Sequence, residues 1–177
     1  MDDATNNPAL AVLTDAFERL RDGVPAVVQG LSTDELLWRP DPAANHVAWL
    51  LWHLSRQHDA QVAALADEDP VWTGEGWADR FALPYSLDAH GYGMSDADVA
   101  AFTVADAALF GAYQSTVHEA TVRYLGALDA AAYDRVVDDR WDPPVTVGVR
   151  LVSVVLDGAK HLGQAEYVKG LLRRRRT

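Results

Sequence analysis

With 177 residues, no cysteine and a formal net charge of −11, the chain excludes disulfides, thiolate metal ligands and a redox thiol of its own. It also lacks the broad basic surface that nucleic-acid binding requires. No uncharged apolar run approaches a membrane span, and the start Met1-Asp2-Asp3 shows no basic region followed by an apolar stretch, so an unprocessed, cytoplasmic protein acting on small molecules is expected.

The length suits one domain over residues 1–177, able to bury roughly two thirds of its unfolded surface. From Leu10, the residues Leu13, Phe17, Leu20, Val24 and Val27 recur at the spacing of an amphipathic helix. Gly23 and Pro25 predict a kink or an early end of this first helix, because proline lacks an amide donor and crowds the preceding turn. Ser32-Thr33-Asp34-Glu35 reads as a capping box opening a short helical turn that Arg39-Pro40-Asp41-Pro42 stops.

A second long helix is expected from about Ala44 to Ala66. Val47, Trp49, Leu50, Leu51, Trp52 and Leu54 make its first half apolar nearly all round, the mark of deep burial. Asp67 to Ser95 then carries Pro70, Gly74, Gly76, Pro84, Gly91 and Gly93 among Trp72, Trp77, Phe81, Tyr85 and Tyr92. A loop this long and aromatic is a functional lid or is pinned to the core, and irregular aromatic spacing favours pinning.

The third helix is expected to start after Ser95, capped with Asp98, and to continue through Val99, Phe102, Asp106, Leu109, Tyr113, Val117, Ala120 and Tyr124 to Leu128. Asp138 to Pro144 is turn-rich, and the last helix spans about Val147 to Arg174. The terminal run Arg173-Arg174-Arg175-Arg176 complements the helix macrodipole and keeps the end solvated. Four long helices with extended connections predict an all-α four-helix bundle with at least one crossover.

Asp157 and His161 stand four residues apart in the final helix and so project to one side at metal-ligand spacing. On spacing alone, an acid beside a hydrogen-bonded core histidine is the commoner reading of such a pair. A third ligand has to come from another helix, and His53 has the most apolar surroundings. The second helix is apolar around most of its circumference, so periodicity does not decide which histidine faces Asp157; His46 lies on nearly the same face as His53, while His58 points elsewhere. His90 and His118 are expected at the surface. Gln164, near His161, can bond a ligand or substrate, Gly163 permits close helix approach, and the loop aromatics Trp77 and Tyr92 can roof a site.

Leu50-Leu51-Trp52-His53-Leu54, Gly76-Trp77-Ala78-Asp79-Arg80-Phe81-Ala82-Leu83-Pro84, Gly91-Tyr92-Gly93-Met94-Ser95 and Lys160-His161-Leu162-Gly163-Gln164 follow in order over most of the chain. Together they resemble the DinB-like superfamily, and within it the branch associated with mycothiol-dependent and related thiol transfer. The resemblance implies an up-down-down-up bundle with a long loop between its second and third helices. It also implies one metal held by His53, Asp157 and His161, with pairing into a homodimer as an option. Histidine or glutamate is usual in the family where Asp157 stands; aspartate is shorter by one methylene and must bring its helix closer.

Two imidazoles and a carboxylate suit zinc, and equally nickel or ferrous iron, with coordination positions left open. The implied activity is metal-dependent S-transfer from a low-molecular-weight, mycothiol-like thiol to a small electrophile, with Gln164, His46, His58, Trp77 and Tyr92 as supporting or substrate-facing residues. Metal-assisted hydrolysis and a non-catalytic, ligand-binding bundle with a degenerate metal site are the alternatives.

Overall fold

The computed structural model describes residues 8–175; Met1-Asp2-Asp3 and Arg176 of the arginine run lie outside them. Four long helices form the bundle: α1 (Pro8–Val28), α3 (Val47–Ala66), α7 (Ala108–Gly126) and α8 (Val147–Arg175). Short helices α2 (Thr33–Leu36), α4 (Val71–Gly74), α5 (Trp77–Phe81) and α6 (Asp96–Ala100) decorate the connections. A two-stranded antiparallel ribbon, β1 (Val136–Asp138) with β2 (Val145–Thr146), leads into α8. Among the described residues no helix is long and apolar enough to cross a membrane.

The direction of each helix follows from its contacts. α1 and α8 run parallel: Leu20 packs on Gly158, Gly23 on Leu162, and the Lys169 ammonium donates to the carbonyls of Ala26, Val27 and Gln29. α3 opposes α8, since His53 meets His161 while Gln61, further along α3, accepts from Arg150, nearer the start of α8. α7 opposes α1, with Pro25 against Gly111 and Arg21 against His118. Thus α3 and α7 run the same way, and the chain from residue 67 to 107 must return the full length of the bundle between them. The result is the up-down-down-up arrangement, with α1 diagonal to α3, α7 diagonal to α8, and α3 packed between α7 and α8.

Several local expectations are corrected. α1 does not end early but continues through Pro25 to Val28, and the Lys169 ammonium donates to the carbonyls of Ala26 and Val27 in its last turn. α3 begins at Val47 and not Ala44, because the His46 ring caps it: Nδ1 accepts from the Trp49 amide at 3.0 Å. The third helix is broken into α6 and α7. The Ser95–Asp98 capping box forms as expected, but the Val99 carbonyl, which a continuous helix would offer to Thr103, instead accepts from His46 Nε2 at 3.0 Å. Phe102 then turns into the core against Trp52, and Asp106 accepts the Ala108 amide to start α7. Gly163 has open space around it; the glycines that allow close approach are Gly23 and Gly158, where an added Cβ at Gly158 would sit 2.8 Å from Leu20 Cδ1.

The long connection is pinned. Asp59 on α3 accepts from the Val71 and Trp72 amides at 3.0 and 2.9 Å and from the Tyr113 hydroxyl at 2.6 Å. Trp72, Trp77 and Phe81 bury against Tyr113 and one another.

Two buried histidines make the fold acid-sensitive. Burial pushes His46 down to about 4 and His58 to about 3. An unfolded histidine titrates near 6.5, so below that pH the unfolded chain binds protons that the folded one refuses, and stability falls as pH drops from 6.5 toward 4. Metal-stripped protein is expected to lose roughly 3–4 kcal/mol of unfolding free energy between pH 7.5 and pH 5. Urea titrations at the two pH values check this; equal midpoints would contradict it.

Candidate metal centre

His53 projects from the middle of α3 toward α8, where Asp157 and His161 occupy adjacent turns of one face. One donor atom from each lies within 4.8 Å of the others. His161 Nε2 stands 3.6 Å from Asp157 Oδ1, and the two imidazole rings meet edge to face with centroids 4.6 Å apart. The aspartate's short side chain still reaches the histidine because the two sit one turn apart on the same helix.

The neighbours of each imidazole set which nitrogen is free. His53 Nδ1 lies 2.5 Å from the His90 carbonyl, which only accepts, so the proton resides on Nδ1 and Nε2 carries the lone pair. His161 Nδ1 lies 2.9 Å from Gln164 Oε1, the same arrangement with a side-chain amide as acceptor. Both rings are therefore oriented as metal-bound histidines usually are, with the second nitrogen hydrogen-bonded to an oxygen. Burial also lowers the pKa of His53, against an opposing pull from the His90 carbonyl, and this favours the neutral ring a metal needs.

Accessibility differs across the set. His53 is only 6% exposed and stacks on Trp49 with centroids 4.7 Å apart, whereas the Asp157 side chain is 40% exposed. One side of the cluster is thus closed by packing, and on the other Asp157 is open to solvent. Two imidazoles, one carboxylate and an open side match a three-ligand metal site with room for a further ligand.

The other expected site residues are distributed differently. Gln164 is at the centre, holding His161. His46 is not; it caps α3 and bonds α6. His58 faces α7, bonding Thr121 and Gln114 and stacking on Phe17, because five residues of helix turn it well away from His53. Trp77 lies in the core under Arg80 instead of facing a ligand. Tyr92 belongs to the loop over His53 and is 84% exposed. His118 is buried and bonded to Arg21, not at the surface.

Sequence reasoning missed the contribution of His90 and Gly91. The backbone of Gly91, at φ +99°, lies against the His53 ring and 3.1 Å, measured from an added Cβ, from Trp49. Trp49 Nε1 in turn donates to the Met94 sulfur at 3.4 Å. The glycines at 91 and 93 are the signal that could have revealed a loop built for close backbone approach, since both have positive φ. Gly91→Ala is expected to weaken divalent-metal affinity about tenfold or more by displacing the His90 carbonyl from His53. Competition against a chromophoric chelator measures it, with Gly93→Ala, whose Cβ meets nothing, as the control.

A family model described as the DinB superfamily matches residues 16–165. Among solved structures, one titled "Crystal structure of the conserved protein of locus from Enterococcus faecalis" is similar at 30% identity, with a TM-score of 0.84 over 90% of this chain and 94% of that one. Nothing among curated proteins matches the chain.

Proposed function

Since the chain belongs to the DinB superfamily, we propose that it is a metal-dependent thiol S-transferase-like enzyme, joining a low-molecular-weight, mycothiol-like thiol to a small electrophile. The observation that carries this reading is the half-open cluster of His53, Asp157 and His161 in a protein with no cysteine, so that any thiol it uses is a borrowed one.

His53 Nε2, His161 Nε2 and an Asp157 carboxylate oxygen would hold the metal, for which zinc, nickel and ferrous iron all suit the donors. When bound, such an ion supplies a Lewis acid that lowers a thiol's pKa, and the thiolate is the reactive form. The protein's own groups do the rest. His90 and Gln164 accept the Nδ1 protons and hold both rings in register. The Trp49–His53 stack excludes water from the closed side, and the exposed side of Asp157 leaves a path for the reactants. In the reaction a sulfur–carbon bond forms as the bond from that carbon to its leaving group breaks. The leaving group departs with the electron pair, and the thiol proton passes to water.

Elemental analysis of protein purified without chelator, followed by loss of a model electrophile with and without added thiol, tests the proposal. About one divalent metal per chain and turnover that requires both metal and thiol are expected. Metal-dependent turnover without thiol would establish hydrolysis instead, and a protein that takes up no metal would refute both.

A further inference from the structure

Cysteine is absent and methionine occurs twice, so Met94 carries the chain's one sulfur beyond Met1. Two routes tie it to the metal cluster. Through side chains, the Trp49 indole N–H donates to the Met94 sulfur at 3.4 Å, and the Trp49 ring stacks on His53. Through the backbone, the Met94 amide donates to the Gly91 carbonyl at 3.3 Å. Gly91 lies so close that a Cβ there would meet both the His53 and Trp49 rings, and the preceding carbonyl, of His90, accepts from His53 Nδ1. Met94 therefore closes a ring of contacts that runs from Trp49 to His53 and returns through the loop.

The same residue is open to small solutes. Met94 is half-buried and, with Tyr85, Tyr92 and Gly93, borders a cavity of about 470 Å³, so a molecule the size of a peroxide meets its side chain without unfolding. Oxidation turns a thioether, apolar and a weak acceptor, into a polar sulfoxide whose oxygen accepts hydrogen bonds. An oxygen placed between sulfur and indole pushes the sulfur away, because the N–H···O bond alone spans about 2.9 Å. An oxygen turned toward the cavity draws the side chain toward water. Trp49 is buried in α3, so in either case it is the loop that yields.

We propose that Met94 is an oxidative modification site coupled to the metal centre: a hydroperoxide converts its thioether to the sulfoxide, which draws the 90–94 loop off His53 and weakens metal binding. The sulfur–oxygen bond forms as the peroxide O–O bond breaks. Sulfur gives up two electrons, and the second oxygen leaves as water from hydrogen peroxide or as an alcohol from an organic hydroperoxide. This rests on metal binding by His53, Asp157 and His161, and holds whichever reaction the metal serves.

Treating the zinc-loaded full chain with hydrogen peroxide tests the coupling; zinc has no redox chemistry of its own to add. Peptide mass spectrometry is expected to find one oxygen added at Met94. A chromophoric chelator is expected to read zinc affinity about tenfold weaker once Met94 is fully modified. Methionine sulfoxide reductases return the sulfoxide to the thioether and should restore the affinity. Met94→Leu nearly keeps the volume and removes the sulfur, so its affinity should be the same before and after peroxide, although Met1 is oxidised in both proteins. In metal-free protein the Trp49 indole N–H resonance, assigned with Trp49→Phe, should shift on oxidation and return on reduction. The proposal is overturned if Met94 stays unmodified in peroxide that fully oxidises N-acetylmethionine, if its sulfoxide leaves zinc affinity or the indole resonance unchanged, or if Met94→Leu loses affinity equally. Zinc uptake by untreated protein leaves the metal reading standing in each of those cases, whereas an untreated chain that takes up no zinc sinks both.

Discussion

His161→Ala is expected to lower the metal content of the purified protein at least about tenfold while leaving its helical circular dichroism unchanged. The separation of effects follows from where the residue sits. Its side chain is 19% exposed on the surface of α8, its polar contacts are with Gln164 and Asp157, and alanine is the better helix former. Little stability therefore rests on the imidazole, and its loss is read almost wholly at the metal. The same substitution at His53 would be ambiguous, since that ring is buried, stacked on Trp49 and bonded to the loop. Asp157→Asn offers a second arm: it keeps the volume and removes the negative charge. It should weaken affinity too, whereas undiminished metal in both variants would exclude this cluster as the site. Gln164→Leu should fall between, because it frees the His161 ring to rotate without removing a donor; loss of an outer partner typically costs about 10- to 100-fold in affinity.

The largest effect on stability is expected from Asp59→Ala, at roughly 3–5 kcal/mol, which for a chain of this size lowers the melting temperature by about 6–20 °C. Asp59 and Arg56 are 3% and 2% exposed, so deleting the carboxylate strands a guanidinium away from water. It also removes the acceptor for the Val71 and Trp72 amides and for the Tyr113 hydroxyl. Those amides begin α4, and through them Asp59 fastens the connection between α3 and α7 to the core. Thermal unfolding of Asp59→Ala and Asp59→Asn checks the point. Asparagine keeps an acceptor and should recover part of the loss; equal stability of wild type and alanine variant would mean the network carries no net energy.

Much of this molecule is local in origin and was legible in the chain. The apolar rhythm from Leu13 to Val27 and from Leu151 to Leu172 reports a buried helical face, whichever partner covers it. The capping boxes at Ser32 and Ser95 form where their residues stand, because each is satisfied within four residues. The Asp157–His161 pairing is of the same kind: one turn of helix brings the two together before any tertiary contact exists.

What periodicity did not supply came from contacts between distant segments. A helix apolar around most of its circumference has no preferred face, so only packing α3 between α7 and α8 turned His53 to His161 and His58 to Thr121. The break between α6 and α7 required His46, 53 residues away from Val99 in sequence, to take a backbone carbonyl. Trp77, which sequence offered both as a pin for the loop and as part of a roof, is core because it packs on Tyr113 beneath Arg80.

By itself, then, the sequence determined the apolar faces of the long helices, the two serine capping boxes and the pairing of Asp157 with His161, because those depend on neighbours within a turn or two. The tertiary structure brings His53 beside that pair, and sets the His90 carbonyl and the side-chain-free backbone of Gly91 against its ring. Those placements depend on which surfaces meet once α3 is covered from both sides.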